Sequence, residues 1–291
     1  MLYLSAQGAA EVYIKEGEES IFVKLINKAS LRNSYCCDKL QDGVIEADAD
    51  KFTREIIPTG EEHIVVASLE LPIELIKGED GHWIVSASKQ ILYPSFYKTL
   101  LKKYKKVKWV GHLKFPENLS KEEKAEIGKL LREKNCAVVD LDPELYSSFA
   151  SYFESALYPY FHNFVSLSEV SNLVSENWDS YIYVNRRFAE TIIEYVGTNT
   201  LIWINDIPLL LCPYQIIRRN HKANIGIYIH STFPSCEVFK LSPYCEEILA
   251  SLLCCNIIGF HLFSYADNFL KACRRILGSY HKTSHVLPLT S

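Results

Sequence analysis

Apolar runs alternate with amphipathic stretches along the chain after residue 60. The short runs at 64–67 and 225–229 are typical of buried strands, and the longer stretches between such runs repeat apolar residues at helical spacing. Alternation of this kind indicates βαβ units, so we predict a doubly wound α/β domain with a parallel sheet. The predicted strands are 64–67, 107–111, 136–141, 201–204, 225–229 and 257–258, and the predicted helices include 120–134, 166–195, 208–220 and 243–253.

Several predicted helices carry signals at their ends. Ser120 and Glu123 have the spacing of a capping box, and Pro143 suits the first turn of a further helix, where its missing N–H costs little. Gly278 stands where a glycine ends the last helix. The apolar residues of that last helix recur at helical spacing: Leu262, Phe263, Ala266, Phe269, Leu270, Cys273, Ile276 and Leu277.

The first sixty residues differ in character from the rest. Two short β-favouring pieces, 12–14 and 21–23, lie between polar and acidic segments, and 42–43 indicates a turn. We therefore divide the chain into residues 1–60, an N-terminal extension that contains a small β element and has no assigned role, and residues 61–291, the doubly wound α/β domain.

Composition narrows the class of protein without indicating a function. Apolar residues make up 48% of the 291 positions, and the net charge of −4 gives no global basic field for nucleic acid or an anionic membrane. The nine cysteines form no CxxC motif, and no secretory signal is evident. Both observations favour a reducing compartment over a disulfide framework, so we expect a cytoplasmic protein. The most apolar run, 248–263, contains Asn256, Gly259 and His261, and we expect it to be buried rather than to span a membrane.

Polar turns follow three of the predicted strands. They are Asn205–Asp206, the segment 230–235 that begins with His230, and the segment 259–261 that ends with His261. Ligands of doubly wound sheets bind outside the carboxyl ends of the strands. We therefore expect these turns to converge on one crevice.

Longer motifs surround these turns. Residues 225–239 read IGIYIHSTFPSCEVF, 257–261 read IIGFH, 157–162 read LYPYFH and 109–111 read WVG. A helical segment follows the pattern WxxYxxVNxxFA through Trp178, Tyr181, Val184, Asn185, Phe188 and Ala189. These motifs resemble, in their order and residue identities, the trehalose-6-phosphate synthase family of retaining glycosyltransferases. The resemblance is collinear from about residue 63 to 280.

The resemblance implies a two-lobed glycosyltransferase whose first, Rossmann-like lobe presents the glucose-6-phosphate site. The second lobe of such enzymes supplies most contacts to UDP-glucose. The chain ends at Ser291, where the resemblance places the end of the first lobe, so we expect the donor lobe to come from elsewhere. The family implies no obligate metal or cofactor, and the sequence shows no metal-binding cluster, nucleophilic triad or P-loop.

The resemblance also assigns candidate site residues. Asp206 matches the aspartate that holds a sugar hydroxyl, and His230 matches the histidine that hydrogen-bonds near the donor sugar, so these two are the predicted catalytic residues. Three predicted substrate-binding positions are substituted. Glu70 stands where the family has an arginine that grips the acceptor phosphate, Phe149 where it has a tyrosine, and Tyr158 where it has a tryptophan. Glutamate offers neither the positive charge nor the planar donor fork of arginine.

Further substitutions also replace residues that the family motifs lead us to expect at the site. The family motif HDYH reads Asn-Asp-Ile-Pro at 205–208, the turn WVGW ends in His112, and the glycine-rich donor loop is reduced to Gly78 and Gly81. We predict a synthase-like protein of trehalose biosynthesis that acts as a non-catalytic or regulatory subunit, or is a partial chain that lacks the UDP-glucose-binding lobe, with other subunits of a trehalose synthase complex as partners. The alternatives are a fragment of an active UDP-glucose:glucose-6-phosphate glucosyltransferase and a diverged half with another phosphosugar acceptor.

Overall fold

The structure is a computed structural model that describes residues 10–14, 21–25, 63–87, 106–116, 119–164, 177–197 and 199–277. Its strands are β1 Ala10–Ile14, β2 Ile21–Leu25, β3 His63–Glu70, β4 Ile73–Lys77, β5 Trp83–Ala87, β6 Lys106–His112, β7 Cys136–Val138, β8 Thr200–Asn205, β9 Asn224–Ile229 and β10 Ile257–Phe260. Its helices are α1 Lys121–Glu133, α2 Pro143–Tyr152, α3 Tyr158–Phe161, α4 Trp178–Ile193, α5 Cys212–Ile217, α6 Cys236–Phe239, α7 Cys245–Leu252 and α8 Phe263–Ile276.

The main sheet of the described chain has the order β1-β2-β10-β9-β8-β3-β6-β7. The six strands from β10 to β7 run parallel. The chain builds outward from β3 through β6 to β7, and then returns to the other side of β3 with β8, β9 and β10. The strand order therefore reverses between β3 and β8, and ligands of such sheets bind at this switch point, outside the carboxyl ends of the strands.

Both faces of the parallel sheet are buried. Along β3, Val65 and Ala67 belong to one apolar core, and the alternate residues Ile64 and Val66 belong to the core on the other face. Successive side chains of a strand point to opposite faces, so helices must cover both sides. This arrangement confirms the predicted doubly wound α/β fold.

Strands β1 and β2 lie within the stretch predicted as an extension. They form an antiparallel pair, and β2 pairs antiparallel with β10 at the edge of the main sheet. The β element predicted for this stretch therefore extends the sheet of the lobe. The domain boundary at residue 60 stays a prediction.

A two-stranded antiparallel hairpin of β4 and β5 was not predicted. Gly78 and Gly81, interpreted as remnants of a donor loop, form its turn: Gly78 donates its N–H to the carbonyl of His82 at 2.8 Å, and Gly81 adopts a φ of 84°. The hairpin packs on α1, because Trp83 donates its indole N–H to Glu123 at 3.2 Å and Lys77 lies 2.8 Å from the same carboxylate.

Most predicted elements are confirmed with small shifts at their ends. The capping box at the start of α1 is present, since Ser120 accepts from the N–H of Glu123 at 3.1 Å and its own N–H donates to that carboxylate at 3.0 Å. Pro143 opens α2 as predicted. The part of the predicted 166–195 helix before residue 177, and Gly278, lie outside the described residues.

Some boundaries were wrong. The stretch 208–220 is a 3-10 turn, Ile207–Leu209, followed by the separate helix α5, because Pro213 lacks an N–H and fits only the first turn of a new helix. The strand predicted at 136–141 ends at Val138, and the helix predicted to begin at 243 begins at Cys245.

The start of the last helix also differs from the prediction. Leu262 and Phe263 are 50% and 37% exposed, whereas Ala266 and Phe269 are fully buried, so the first turn of α8 projects beyond the core. None of the described helices is long and apolar enough to cross a membrane.

We expect Gly111→Ala to destabilise the lobe by about 1–3 kcal/mol, because overpacking forces backbone to move. A Cβ at this position in β6 would lie 2.9 Å from the Leu71 nitrogen and 3.0 Å from the backbone of Glu70 and Ser68. Urea unfolding monitored by circular dichroism measures the change. Gly128→Ala in α1 is the control: its nearest neighbour would be an Arg132 side-chain atom at 3.7 Å, so we expect up to about 1 kcal/mol of stabilisation. Equal stability of the Gly111 variant and the parent would contradict the prediction.

Candidate functional site

The carboxylate of Asp206 joins the ends of two neighbouring strands. Its Oδ1 accepts hydrogen bonds from the backbone N–H groups of His230 at 3.1 Å and Ser231 at 3.2 Å, and the Ser231 hydroxyl donates to Oδ2 at 3.4 Å. Asp206 follows β8 and His230 follows β9, so the two predicted catalytic residues are in direct contact at the carboxyl edge of the sheet.

The backbone of Asp206 is strained. Its φ of 67° and ψ of 178° lie in a region that is essentially restricted to glycine. The surrounding contacts hold this conformation, since the Asp206 N–H donates to the carbonyl of Tyr228 at 2.8 Å while the side chain binds the next segment. Strained residues of this kind cluster at functional sites, where the surrounding structure fixes them.

The imidazole of His230 has a defined orientation. Its Nε2 lies 3.3 Å from the side-chain oxygen of Asn205, whose amide nitrogen donates to the carbonyl of Ala67 at 3.1 Å. Because the Asn205 oxygen is the acceptor in this chain of bonds, Nε2 of the neutral imidazole carries the proton and Nδ1 is the acceptor nitrogen. The same chain ties β8 to β3 across the switch point.

His261 extends this cluster toward β10. Its Nδ1 lies 3.2 Å from the hydroxyl of Tyr228, and its ring centroid lies 5.5 Å from that of His230. His261 is exposed, whereas His230 is half-buried. Burial lowers the pKa of His230 below its ordinary 6.5; the charge of Asp206 opposes this shift and His261 adds to it. The predicted convergence of three polar turns is therefore confirmed.

The helix α4 clamps the turn after Asp206. The hydroxyl of Tyr181 donates to the carbonyl of Ile207 at 2.6 Å and accepts from the N–H of Leu210 at 3.2 Å. The side chain of Asn185 donates to the carbonyl of Pro208 at 3.0 Å and accepts from Leu211 at 3.0 Å. Both side chains are fully buried, so they satisfy backbone groups that water cannot reach.

Side-chain hydrogen bonds also hold the end of β3 in place. The indole N–H of Trp109 donates to the hydroxyl of Ser68 at 2.8 Å, and that hydroxyl donates to the carbonyl of Glu70 at 2.6 Å. The pairing of β3 with β6 shifts register between Ala67 and Glu70. Gly111 leaves the space into which this irregular backbone fits.

Glu70 lies beside His112 and Tyr146, and we call these three residues the Glu70 corner. Glu70 pairs in register with His112 of β6, whose ring lies 4.3 Å from that of Tyr146 in α2. Burial lowers the pKa of His112 below 6.5. A hydrogen bond with the Val139 backbone and the charge of Glu70 raise this pKa, but by less than burial lowers it. Burial also raises the pKa of Tyr146, and the charges of Glu70 and Glu154 raise it further. At neutral pH the imidazole and the phenol are therefore uncharged.

The other two predicted substrate positions differ in exposure. Phe149 is 1% exposed and its ring stacks 5.8 Å from that of Tyr146 and 5.9 Å from that of Tyr181, so it packs in the core behind the Glu70 corner. Tyr158 is 44% exposed and stacks on His162 at 3.9 Å. A hydrogen bond from Thr232 to the carbonyl of Phe161 ties this segment to the loop after β9.

The described site contains groups that the sequence interpretation gave no role. Asn205, Tyr228 and the clamp residues Tyr181 and Asn185 position the Asp206–His230 contact. The spacing WxxYxxVN was a signal for the clamp, because it places Tyr181 and Asn185 one helical turn apart on one face. Tyr146 had no such signal, since only the ring contact with His112 brings it to Glu70.

A model of the family described as glycosyltransferase family 20 matches residues 61–289. The chain therefore belongs to glycosyltransferase family 20. Its relatives in that family are α,α-trehalose-phosphate synthases, which confirms the resemblance inferred from the motifs and identifies this chain as similar to the amino-terminal half of such proteins.

Two relatives illustrate the extent of the match. The UDP-forming α,α-trehalose-phosphate synthase of Schizosaccharomyces pombe is 33% identical over 224 residues, which are 74% of this chain and 42% of the relative. Synthase A of Dictyostelium discoideum is 30% identical over 217 residues, which are 74% of this chain and 28% of the relative. The chain thus spans less than half the length of these two relatives.

Solved structures share the fold. The N-terminal domain of Candida albicans trehalose-6-phosphate phosphatase matches with a TM-score of 0.57 at 22% identity, covering 82% of this chain and 45% of the solved chain. An Escherichia coli structure bound with UDP-2-fluoro glucose matches with a TM-score of 0.53 at 20% identity, covering 74% of this chain and 43% of the solved chain. At this identity the likeness establishes the Rossmann-like architecture.

We expect Asp206→Ala to be less stable than Asp206→Gly by about 1 kcal/mol or more. Both variants lose the carboxylate, which costs about 1–3 kcal/mol because two backbone N–H groups lose their acceptor. Only glycine adopts the observed φ and ψ without steric cost, whereas alanine keeps the strain. Urea unfolding of both variants measures the difference. An alanine variant as stable as the glycine variant would show that the strained backbone is not maintained in solution.

We expect the free energy of unfolding to decrease as pH falls below about 6.5. His230 and His112 have pKa values below 6.5 in the folded protein, so the unfolded chain binds more protons in this window and stability rises with pH. Above about pH 6.5 the contribution of these two histidines to the free energy of unfolding is fully present. Urea unfolding from pH 7.5 to 5.5 should give a shallower slope for His230→Gln than for the parent. The exposed His221→Gln is the matched control, and an unchanged slope in the His230 variant would contradict the assignment.

Proposed function

We propose that this chain is a trehalose-phosphate synthase-like lobe that does not complete glucosyl transfer alone and serves as a non-catalytic or regulatory subunit of a trehalose synthase complex. The main support is the charge of the Glu70 corner. A carboxylate lies there next to two groups that are uncharged at neutral pH, at the strand end where the family resemblance expects a phosphate-gripping arginine.

A sugar phosphate meets unfavourable electrostatics at such a position. Its phosphate carries between one and two negative charges at neutral pH, and Glu154 adds a second carboxylate that acts on Tyr146. Glu70 is exposed, so solvent screens the repulsion of the phosphate. We therefore expect the affinity for a sugar phosphate to be about tenfold or more lower than with an arginine at this position, which is less than an unscreened charge pair would give.

The alternative proposal is that this chain is a fragment of an active UDP-glucose:glucose-6-phosphate glucosyltransferase. The contact between Asp206 and His230 favours this alternative, because both predicted catalytic residues are present and held together. In this case, the groups that bind UDP-glucose and neutralise its leaving pyrophosphate would come from a further lobe or from a partner.

An assay of UDP release tests whether the chain transfers glucose without a further lobe or a partner. The chain, incubated with UDP-glucose and glucose 6-phosphate, is expected to release no UDP above the level of a sample without protein. Release that requires glucose 6-phosphate and is lost in His230→Ala would support the alternative and end the proposal of a non-catalytic lobe.

The regulatory part of the proposal is tested by association. Mixed with an active synthase, such as the Schizosaccharomyces pombe relative, the chain is expected to co-migrate in size-exclusion chromatography and to change the rate of UDP release by that enzyme. Serum albumin at equal concentration is the control. Separate elution together with an unchanged rate would contradict a role as a subunit of such a complex.

A further inference from the structure

Three arginine side chains converge on one carboxylate at the outer surface of the lobe. We call Arg186 and Arg187 of α4, together with Arg219 after α5, the arginine cluster. The Nε–H of Arg186 donates to Oε1 of Glu190 at 3.1 Å, and Nη2 of Arg219 donates to the same oxygen at 2.8 Å. Nη1 of Arg187 donates to the other oxygen, Oε2, at 2.9 Å. The opposite face of α4 is buried, so the cluster lies on the solvent side of the helix layer.

One carboxylate cannot balance three guanidinium groups. Burial acts to raise the pKa of Glu190, but the hydrogen bonds from the arginines hold it below the ordinary value, so the carboxylate is ionised at neutral pH. Each guanidinium carries a full positive charge, so the four side chains together have an excess of about two positive charges. A single ion pair would already neutralise Glu190. The second and third guanidinium groups therefore repel each other without a counter-charge inside the cluster.

Other charged groups near the cluster leave this excess in place. The Asp140 carboxylate lies 3.9 Å from Nη2 of Arg187, beyond hydrogen-bond distance, and its side chain is 98% exposed, so water screens it. Glu194, one turn further along α4, adds an exposed carboxylate, whereas the turn after α5 adds the exposed cations Arg218 and Lys222. This surface is therefore positive in a chain whose net charge is −4.

Backbone carbonyls hold two of the guanidinium groups independently of the central carboxylate. Nε of Arg187 donates to the carbonyl of Asp140 at 3.1 Å, and Nη1 of Arg219 donates to the carbonyl of Gln215 at 3.1 Å. Both groups are oriented before a ligand arrives, which reduces the conformational entropy lost on binding. The side chains of Arg186, Arg187 and Arg219 are 61%, 34% and 30% exposed, so a ligand in solution can reach them.

The donors and the charge of the cluster favour one class of anion. A guanidinium presents a planar fork of N–H donors that matches two oxygens of a phosphate. Within the described part of the chain, the two terminal nitrogens of Arg186 have no hydrogen-bond partner, so they are available to such oxygens. A phosphomonoester carries roughly 1.5 to 2 negative charges at neutral pH, which matches the excess charge of the cluster, whereas a neutral sugar does not.

We propose that the arginine cluster binds a phosphomonoester dianion, whose oxygens accept hydrogen bonds from Arg186, Arg187 and Arg219 on the solvent side of Glu190. The dianion belongs to a sugar phosphate or to a phosphorylated side chain of another protein, since both present the same phosphoryl group. The site is separate from the crevice, because the buried face of α4 contacts the turn after β8 and the cluster occupies the exposed face.

NMR of the arginine side chains in the full chain tests the proposal. The probes are glucose 6-phosphate, a short phosphoserine peptide, glucose and glucose 6-sulfate. The Nε–H signals of Arg186 and Arg187 are expected to shift saturably with a phosphate probe and not with glucose. Glucose 6-sulfate has the same shape but one negative charge, so we expect it to bind at least about fivefold more weakly than glucose 6-phosphate.

The two phosphate probes distinguish the sources of the dianion. Binding of glucose 6-phosphate alone assigns the site to a sugar phosphate, and binding of the peptide alone assigns it to a phosphorylated protein. Similar affinities for both show that the cluster recognises the phosphoryl group itself. Saturable shifts with neither phosphate probe, or equal shifts with glucose, would overturn the proposal.

Variants of the cluster locate the binding site. Arg186→Gln removes one charge and one donor fork from an exposed position, so we expect phosphate affinity to fall about tenfold or more with an unchanged circular dichroism spectrum. Arg187→Lys keeps the charge and loses the fork, and we expect a fall of about threefold or more. Arg274→Gln is the matched control, because Arg274 is an exposed arginine of α8 outside the cluster. An unchanged affinity in Arg186→Gln, or an equal loss in Arg274→Gln, would reject the cluster as the site.

This inference does not rest on the proposed function. UDP release and association with a synthase decide whether the lobe is catalytic or regulatory, whereas the arginine signals report on the exposed face of α4. Phosphate binding by a chain that associates with no synthase would leave the site standing and remove the subunit role. Association without phosphate binding would do the reverse.

Discussion

The carboxylate of Asp206 is the contact on which the geometry of the site depends. It binds the backbone of His230 and Ser231 and so fixes the end of β9 against the end of β8. It does this from a backbone conformation that only glycine adopts without strain. The buried side chains of Tyr181 and Asn185 hold the following turn, so the strain is stored by the packing of α4 rather than relieved. The orientation of His230 follows from this arrangement.

The same sheet edge contains two electrostatic environments. Around His230 and His261, a carboxylate is offset by hydrogen bonds from backbone and hydroxyl groups. Around Glu70, a carboxylate stands beside groups that burial keeps neutral. The Glu70 corner lies between β3 and β6, and the Asp206–His230 contact lies at the ends of β8 and β9, so both environments belong to the carboxyl edge of one sheet. The charge distribution of a ligand, and not its size alone, decides which of the two it can bind.

The sequence predicted the sheet and the meeting of its polar turns, because strand periodicity and the carboxyl-end rule depend on local pattern and on topology. It did not predict the hairpin at Gly78, whose strands are short and half-exposed, or the interruption of 208–220, where Pro213 begins a new helix. Of the site, Asp206 and His230 could be placed together from sequence. The proximity of Tyr146 to Glu70 could not, because it depends on the tertiary contact between Tyr146 and His112, and no periodicity encodes that contact.

The residues that carry the family motifs act mainly on backbone. Tyr181, Asn185 and the Trp109–Ser68 pair satisfy buried carbonyl and amide groups, and removing any of them would leave such a group unpaired at a cost of about 1–3 kcal/mol. A lobe must therefore keep these side chains to fold, whether or not it binds a substrate. Glu70 is exposed, and substitutions at exposed positions usually change stability little. The motifs therefore fix the geometry of the crevice, and the exposed side chains at the strand ends set its charge.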